Sequence, residues 1–230
     1  IWNTLRLVVG VLIITVCGGV ALALLLDRPI FGQGIVRILV ISPFFVMPPV
    51  AALIWKNMFM NPENGLFASL ARAVGAQPID FLGQYPLLSI IVIVAWQWLP
   101  FATLILLTAL QSMDGEQVEA AEMDGITGWS QFWRIKLPLI LPSIGIISIL
   151  TFVGNFNAFD LIYVSQGALA GPNFATDILG TFLYRTFFGF QLQLGDPHMG
   201  ATIATAMFGI ILAGVSAYLF GVQRRLRRYA

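Results

Sequence analysis

Carboxylates crowd one short passage of this sequence. Asp114, Glu116, Glu119, Glu122 and Asp124 are five of its 11 acidic residues, and they surround Ala120, Ala121 and Gly125. Nine residues after that glycine comes Ile135-Lys136-Leu137-Pro138. Small and acidic residues on a short helix let a partner's backbone approach closely and offer charge to its basic groups. A second passage, Asn155-Phe156-Asn157-Ala158-Phe159-Asp160-Leu161-Ile162-Tyr163, mixes amides, a carboxylate and rings inside an apolar run. Amides donate and accept hydrogen bonds, and ring faces cover C–H patches, so the mixture suits a polyhydroxylated solute. Trp96-Gln97-Trp98-Leu99-Pro100-Phe101 adds rings and an amide, and Pro43-Phe44-Phe45-Val46-Met47-Pro48 adds further rings.

Other chemistries are excluded by what is missing. The chain has a single cysteine, Cys17, and a single histidine, His198, so it holds neither an intrachain disulfide nor a metal cluster built from those residues. No serine shows a recognisable base partner. The only lysines, Lys56 and Lys136, follow no glycine-rich G-x-x-x-x-G pattern, so a P-loop is absent. A net charge of +1 argues against a nucleic-acid partner.

The elements that position these residues are written for lipid. Hydrophobic residues make up 58% of the 230 and charged residues only 10%, against roughly 25% charged in an average soluble domain. Such a chain cannot cover a water-facing surface. Five segments reach the length of about 20 apolar residues that a bilayer requires: roughly 4–26, 36–60, 87–110, 137–164 and 199–222. The fold class is therefore all-α, a polytopic membrane protein with about five transmembrane helices. The second segment is interrupted by Pro43, Pro48 and Pro49 and the third by Pro100. Proline removes a donor and clashes with the preceding turn, and the freed carbonyls need neighbouring helices or a water-lined cavity. The start at Ile1, with no basic region or cleavage site, predicts that an N-terminal part of the full protein precedes this stretch.

Orientation follows from the basic residues. With five alternating crossings, one side collects Arg28, Arg37, Arg134, Lys136, Arg224, Arg225, Arg227 and Arg228, and the other Arg6, Lys56, Arg72 and Arg185. Eight against four places the acidic loop and the C-terminus in the cytoplasm. The first residue and the loops 61–86 and 165–198 then lie outside, each loop with an apolar run, Leu66–Val74 and Ile178–Phe190, of interfacial helix character. Asp160 falls near the outer interface, in reach of a salt bridge or gate role.

Within the loop at about 112–136, Asp114 is placed to cap a helix whose third position is Gln117, and Gly125 to end it in the left-handed region. From Glu116 to Asp124 such a helix is only ~13 Å long, marginal without a docking partner. Thr127 is placed to cap a further turn carrying Trp129, Phe132 and Trp133, rings for the membrane interface, and Pro138 opens the next span.

The pattern Glu-Ala-Ala, three residues, Gly, nine residues, Ile-x-Leu-Pro resembles the cytoplasmic loop of ATP-binding-cassette importer permeases, and every fixed position is occupied. The resemblance covers essentially the whole chain as one type-1 transmembrane permease domain, 1–230, similar to maltose-type membrane subunits. It implies that Glu119, Ala120, Ala121, Asp124, Gly125 and Pro138 couple to a separate ATPase subunit. It implies two such ATPases, which carry the ATP and magnesium while this chain holds no cofactor. A second permease of different sequence and a periplasmic or extracellular solute-binding protein complete the assembly, in the bacterial inner membrane. The Asn155 passage is similar to that of carbohydrate-importing permeases.

The candidate solute pathway comprises Phe44, Pro48, Gln97, Trp98, Phe101, Asn155, Phe156, Asn157 and Ala158. Trp98 lies ~16 Å and Phe44 ~12 Å into their spans by helical rise, near the middle of a ~30 Å hydrocarbon core. Asn155 lies ~27 Å past Leu137 and reaches that level only if its helix begins well before the membrane. The expected function is alternating-access import of a sugar or sugar-like solute. An amino acid, peptide or phosphate ester is the alternative within the family. A different class, the ion-coupled secondary transporter, usually shows internal repeats and intramembrane carboxylates along the pathway; here there is no repeat.

Overall fold

The computed structural model describes residues 1–28, 31–113, 121, 123–156, 158–190 and 193–226, with the side chains of 193 and 222–226 outside that description. The chain divides into two compact units, one made of Ile1–Val11, Met47–Val94 and Thr151–Ala230, the other of Leu12–Val46 and Ala95–Leu150.

Long helices form where apolar residues run without a polar face. They are α1 (Trp2–Asp27), α6 (Pro86–Gln111), a helix running Gly128–Phe156, and α11 (Pro197–Leu226). Each holds an 18-residue window apolar enough to cross a membrane. The second apolar stretch is not one helix. α2 (Gln33–Ile41) passes into a tight turn at Ser42–Phe45, Val46 and Met47 are extended, and α3 (Pro48–Ile54) restarts with Pro48 in its first turn. The cause is local: a residue before proline is pushed out of the helical region, and Met47 sits at φ −59, ψ 141. A widened π turn, Trp55–Phe59, continues α3. Counted as one broken span, this stretch brings the total to five, as the sequence predicts.

The unit formed by 12–46 and 95–150 is a helical bundle. Ala23 and Leu26 of α1, Leu106 and Leu110 of α6, and Ile140 and Ile147 make its buried centre, with Val36 and Val40 of α2 against it. Gly19 lets α1 approach α6 closely, because a Cβ there would stand 2.9 Å from the Ala102 Cβ. Small residues at such crossings take the place that hydrophobic burial has in water. One end of the bundle is tied by polar groups. Lys136 pairs with Asp27 at 3.4 Å, while Gln33 Nε2 and Arg37 Nη2 donate to the Leu26 carbonyl at 2.7 and 3.4 Å.

In the other unit, α4 (Leu66–Ala73) and the single turn α5 (Phe81–Gln84) follow α3. Trp55, Phe59, Phe67 and Phe81 form a chain of ring contacts that joins the π turn to α4 and α5. α9 (Phe159–Gln166) packs on α3, and α10 (Leu179–Phe188) on α11. A short antiparallel hairpin pairs β1 (Gly189–Phe190) with β2 (Gln193–Leu194). Asp196 caps α11, accepting from the His198 and Met199 amides at 3.0 Å each, and Pro197 begins the helix. The two helices α4 and α10 stand where the loop runs Leu66–Val74 and Ile178–Phe190 predict them.

The loops at one end of this unit are bonded to one another. Thr4 Oγ1 accepts from the Leu179 amide at 3.0 Å, Asn3 Nδ2 donates to the Ala175 carbonyl at 3.3 Å, and Gln166 Nε2 to the Leu82 carbonyl at 3.2 Å. The N-terminal end of α1 and the loops 61–86 and 165–198 therefore share one end, as five alternating crossings require. Asp177 and Arg185 pair there at 2.8 Å, with side chains 18% and 15% exposed. The Arg185 guanidinium also lies 4.7 Å from the Phe174 ring centroid.

Candidate functional site

Of the acidic loop, Glu119 and Ala120 lie outside the described residues, as do Asp114, Glu116, Gln117 and Glu122. Its C-terminal end is described. Gly125 has φ 76, the left-handed conformation expected of it, and the Ile126 amide donates to the Ala121 carbonyl at 2.9 Å. That bond is the 6→1 closure of a Schellman helix end. Ala121 is buried, whereas Met123, Asp124 and Gly125 are exposed.

Thr127 does stand at the cap position of α7 (Gly128–Gln131), but its hydroxyl makes no capping bond. Gly128, at φ 59, sets the entry to this turn instead. Trp129, Phe132 and Trp133 form a mutual cluster with centroids 5.2 to 5.7 Å apart. A π turn, Phe132–Lys136, links α7 to α8 (Leu137–Phe156). The widening has a reason in Pro138, whose ring would otherwise clash with the Arg134 carbonyl four residues back. Pro138 is exposed in the first turn of α8. The pairing of Lys136 with Asp27 holds this end of the loop to α1. Sequence reasoning missed that pair; the signal was a lone carboxylate ending an apolar span among basic residues.

Two groups of pathway candidates come together, each within its own unit. In the first, Phe44 stacks on Phe101 with centroids 5.6 Å apart and Trp98 meets Phe101 edge-on at 5.9 Å. Gln97 Nε2 donates to the Val46 carbonyl, a group freed by the break before α3. An amide thus closes the backbone opening that the prolines create, as lipid surroundings demand. Trp98, Phe101 and Gln97 are half-buried and Phe44 is 42% exposed. The cluster offers ring faces and an amide oxygen, with no charged group among its four members.

In the second group, Asn155 and Phe156 end α8 and both are buried, at 0% and 1% exposure. Asn155 Nδ2 donates to the Thr151 carbonyl at 2.7 Å, but Asn155 Oδ1 and Thr151 Oγ1 are buried without a hydrogen-bond partner among the described residues. Phe156 lies against Phe152 at 5.0 Å. Ala158 is non-helical, at φ −72, ψ 51, and its amide reaches back to the Asn155 carbonyl at 3.3 Å. Asn157 lies outside the described residues. Pro48 is exposed at the start of α3.

The span predicted at 137–164 is corrected here. Its helix ends at Phe156 and restarts as α9 at Phe159, where side-chain amides compete with the helical ladder. The same helix reaches back to Gly128, 29 residues in all, or ~43 Å by helical rise. Asp160, exposed in the first turn of α9, takes part in neither ion pair found among the described residues.

Comparison with known proteins places the whole chain rather than its individual residues. Residues 7–228 match the family described as "Binding-protein-dependent transport system inner membrane component". The chain is similar to the trehalose/maltose transport system permease protein MalF of Thermococcus litoralis, 31% identical over 203 residues, 87% of this chain and 66% of that protein. It is 32% identical over 231 residues to the sn-glycerol-3-phosphate transport system permease protein UgpA of Rhizobium meliloti, covering 97% of this chain and 76% of that one. Among solved structures, a chain of a bacterial alginate ABC transporter in complex with an alginate pentasaccharide-bound periplasmic protein shares the fold. Its TM-score is 0.75 at 24% identity, over 98% of this chain and 77% of that chain. The chain thus spans just under two thirds of the length of the first of these relatives. With four apolar helices and one broken stretch among the described residues, and a family match over residues 7–228, this chain belongs to the family of binding-protein-dependent transport system inner membrane components.

Proposed function

We propose that the chain is the membrane-spanning permease subunit of an ATP-driven importer that moves a sugar or sugar-like solute by alternating access. The observation that carries this reading is the family match over residues 7–228. It is supported by relatives named for trehalose, maltose, xylose and arabinose transport. The uncharged cluster of Phe44, Gln97, Trp98 and Phe101 has the ring faces and amide that a neutral polyol needs. Glu119, Ala120, Ala121, Asp124 and Gly125 dock the loop into a partner ATPase, and Pro138 fixes where the next helix leaves it. Two ATPase subunits bind the ATP and magnesium; this chain catalyses no covalent step. A second, different permease and an external solute-binding protein complete the transporter, with the acidic loop and the C-terminus in the cytoplasm.

A phosphate ester is the second reading, brought by the similarity to a glycerol-3-phosphate permease protein. A phosphate dianion calls for Arg or Lys in bonding distance, and none of the pathway candidates is basic. The test is uptake by the reconstituted transporter of neutral disaccharides, pentoses and glycerol phosphate side by side. Saturable uptake of a neutral sugar supports the proposal, and uptake of the phosphate ester alone rejects the sugar assignment.

A further inference from the structure

Arg6 is a cation that the proposed transport cycle does not use. It is exposed in the second turn of α1 and joins neither ion pair found among the described residues. Its guanidinium lies 4.9 Å from the Trp2 ring centroid, a ring that is itself 64% exposed. Beside it, α1 and the start of α6 bound a groove of about 500 Å³.

The groove is polar at one end and apolar at the other. Arg6, Asn3 and Tyr85 line its mouth, and Leu87, Leu88 and Ile91 line the part that runs along α6; none of the eight lining residues is acidic. The two helices close on each other at Ile91, since a Cβ on Gly10 would stand 2.9 Å from Ile91 Cδ1. Gly10 is four residues beyond Arg6 and Ile91 six beyond Tyr85, so this close approach lies ~6–9 Å along the helices from the polar end by helical rise. The mouth is also held in place, because Asn3 and Thr4 bond to the loop at Ala175 and Leu179.

A cation and a phenol at the ends of membrane helices, above a narrowing apolar cleft, complement a molecule with an anionic head and hydrocarbon chains. We propose that this groove is a binding site for one anionic phospholipid in the leaflet facing the N-terminal end of α1. Arg6 and Tyr85 hold the headgroup phosphate, and the first acyl methylenes lie along Leu87, Leu88 and Ile91. This site is independent of the solute and of the coupling loop. Trp2, 4.9 Å from the guanidinium, steadies it as part of the interfacial aromatic belt.

The test uses the assembled transporter, purified in detergent, delipidated, and examined by native mass spectrometry with added phosphatidylglycerol. Wild type is expected to retain one phosphatidylglycerol per copy of this chain. Arg6→Gln should weaken retention about fivefold, the usual value of one basic group near an anionic bilayer surface. Arg6→Lys should restore most of it, and Arg72→Gln, whose guanidinium bonds to the Glu63 and Ala68 carbonyls outside the groove, should retain lipid like wild type. Size-exclusion elution of each variant confirms assembly independently of lipid. Equal retention by wild type and Arg6→Gln overturns the proposal. So does displacement of the lipid by millimolar inorganic phosphate, which would mark a free-anion site instead.

Discussion

Replacing Gly125 separates the shape of the acidic loop from its packing. At φ 76 this residue lies where L-amino acids with a Cβ are disfavoured, at a cost of about 1–2 kcal/mol, and a β-branched valine sits at the upper end. Among the described residues a Cβ at Gly125 would meet nothing within 4 Å, so the cost is conformational. One to two kcal/mol depletes the closed helix end about 5- to 30-fold, and with it the bond from the Ile126 amide to the Ala121 carbonyl. In the purified, assembled transporter, Gly125→Val should therefore lower solute uptake and binding-protein-stimulated ATP hydrolysis together, with insertion into the membrane unchanged. Gly125→Asn, a residue that tolerates the left-handed region, should keep most of both activities. Unaltered stimulation in Gly125→Val, or equal damage by asparagine and valine, refutes the argument that the backbone at this residue shapes a coupling surface.

Exposed Ser69 and Ser130 stand in loops assigned to opposite faces; as cysteines they should label from outside and inside intact cells respectively, and labelling of both by an impermeant reagent overturns the topology. Arg185→Ala leaves the largely buried Asp177 carboxylate with Thr181 as its one side-chain partner among the described residues, which should cost about 1.5–3 kcal/mol and lower the thermal midpoint of the purified complex; an unchanged midpoint contradicts this. Asn155→Ala removes a fully buried amide whose oxygen has no partner among the described residues, so folding should survive; in the state that opens the pathway onto this residue, losing its solute contact costs about 0.5–1.5 kcal/mol, up to roughly tenfold in affinity. Trp98→Ala removes a ring face that meets Phe101; for both variants, hydrolysis without matching uptake and altered sugar preference are expected, and unchanged uptake moves the pathway to other helices.

The spans were legible because lipid imposes a single requirement, about 20 apolar residues per crossing, and composition reports it directly. Gly125 was legible for a similar reason, since a helix end needs a left-handed residue and glycine supplies it without penalty. The breaks were harder to place. Pro48 and Pro49 announced a disturbance, yet the extended pair Val46–Met47 and its rescue by Gln97 depend on a residue 51 positions away. The stop at Phe156 was hidden because Leu161 and Ile162 continue the apolar run past it. The ties from Asp27 to Lys136 and from Thr4 to Leu179 are 109 and 175 residues apart. A single sequence records such residues only as polar exceptions, without saying which exception answers which.

If, as proposed, solute movement through this subunit is powered by ATP hydrolysis on a partner docked at the acidic loop, the direct measurement is uptake of labelled sugar by proteoliposomes. These hold the assembled transporter, with solute-binding protein outside and ATP enclosed. Uptake should require ATP and magnesium inside and binding protein outside, and should survive collapse of the proton and sodium gradients. Uptake that persists with the ATPase subunits removed and stops when an ion gradient is collapsed would contradict the account.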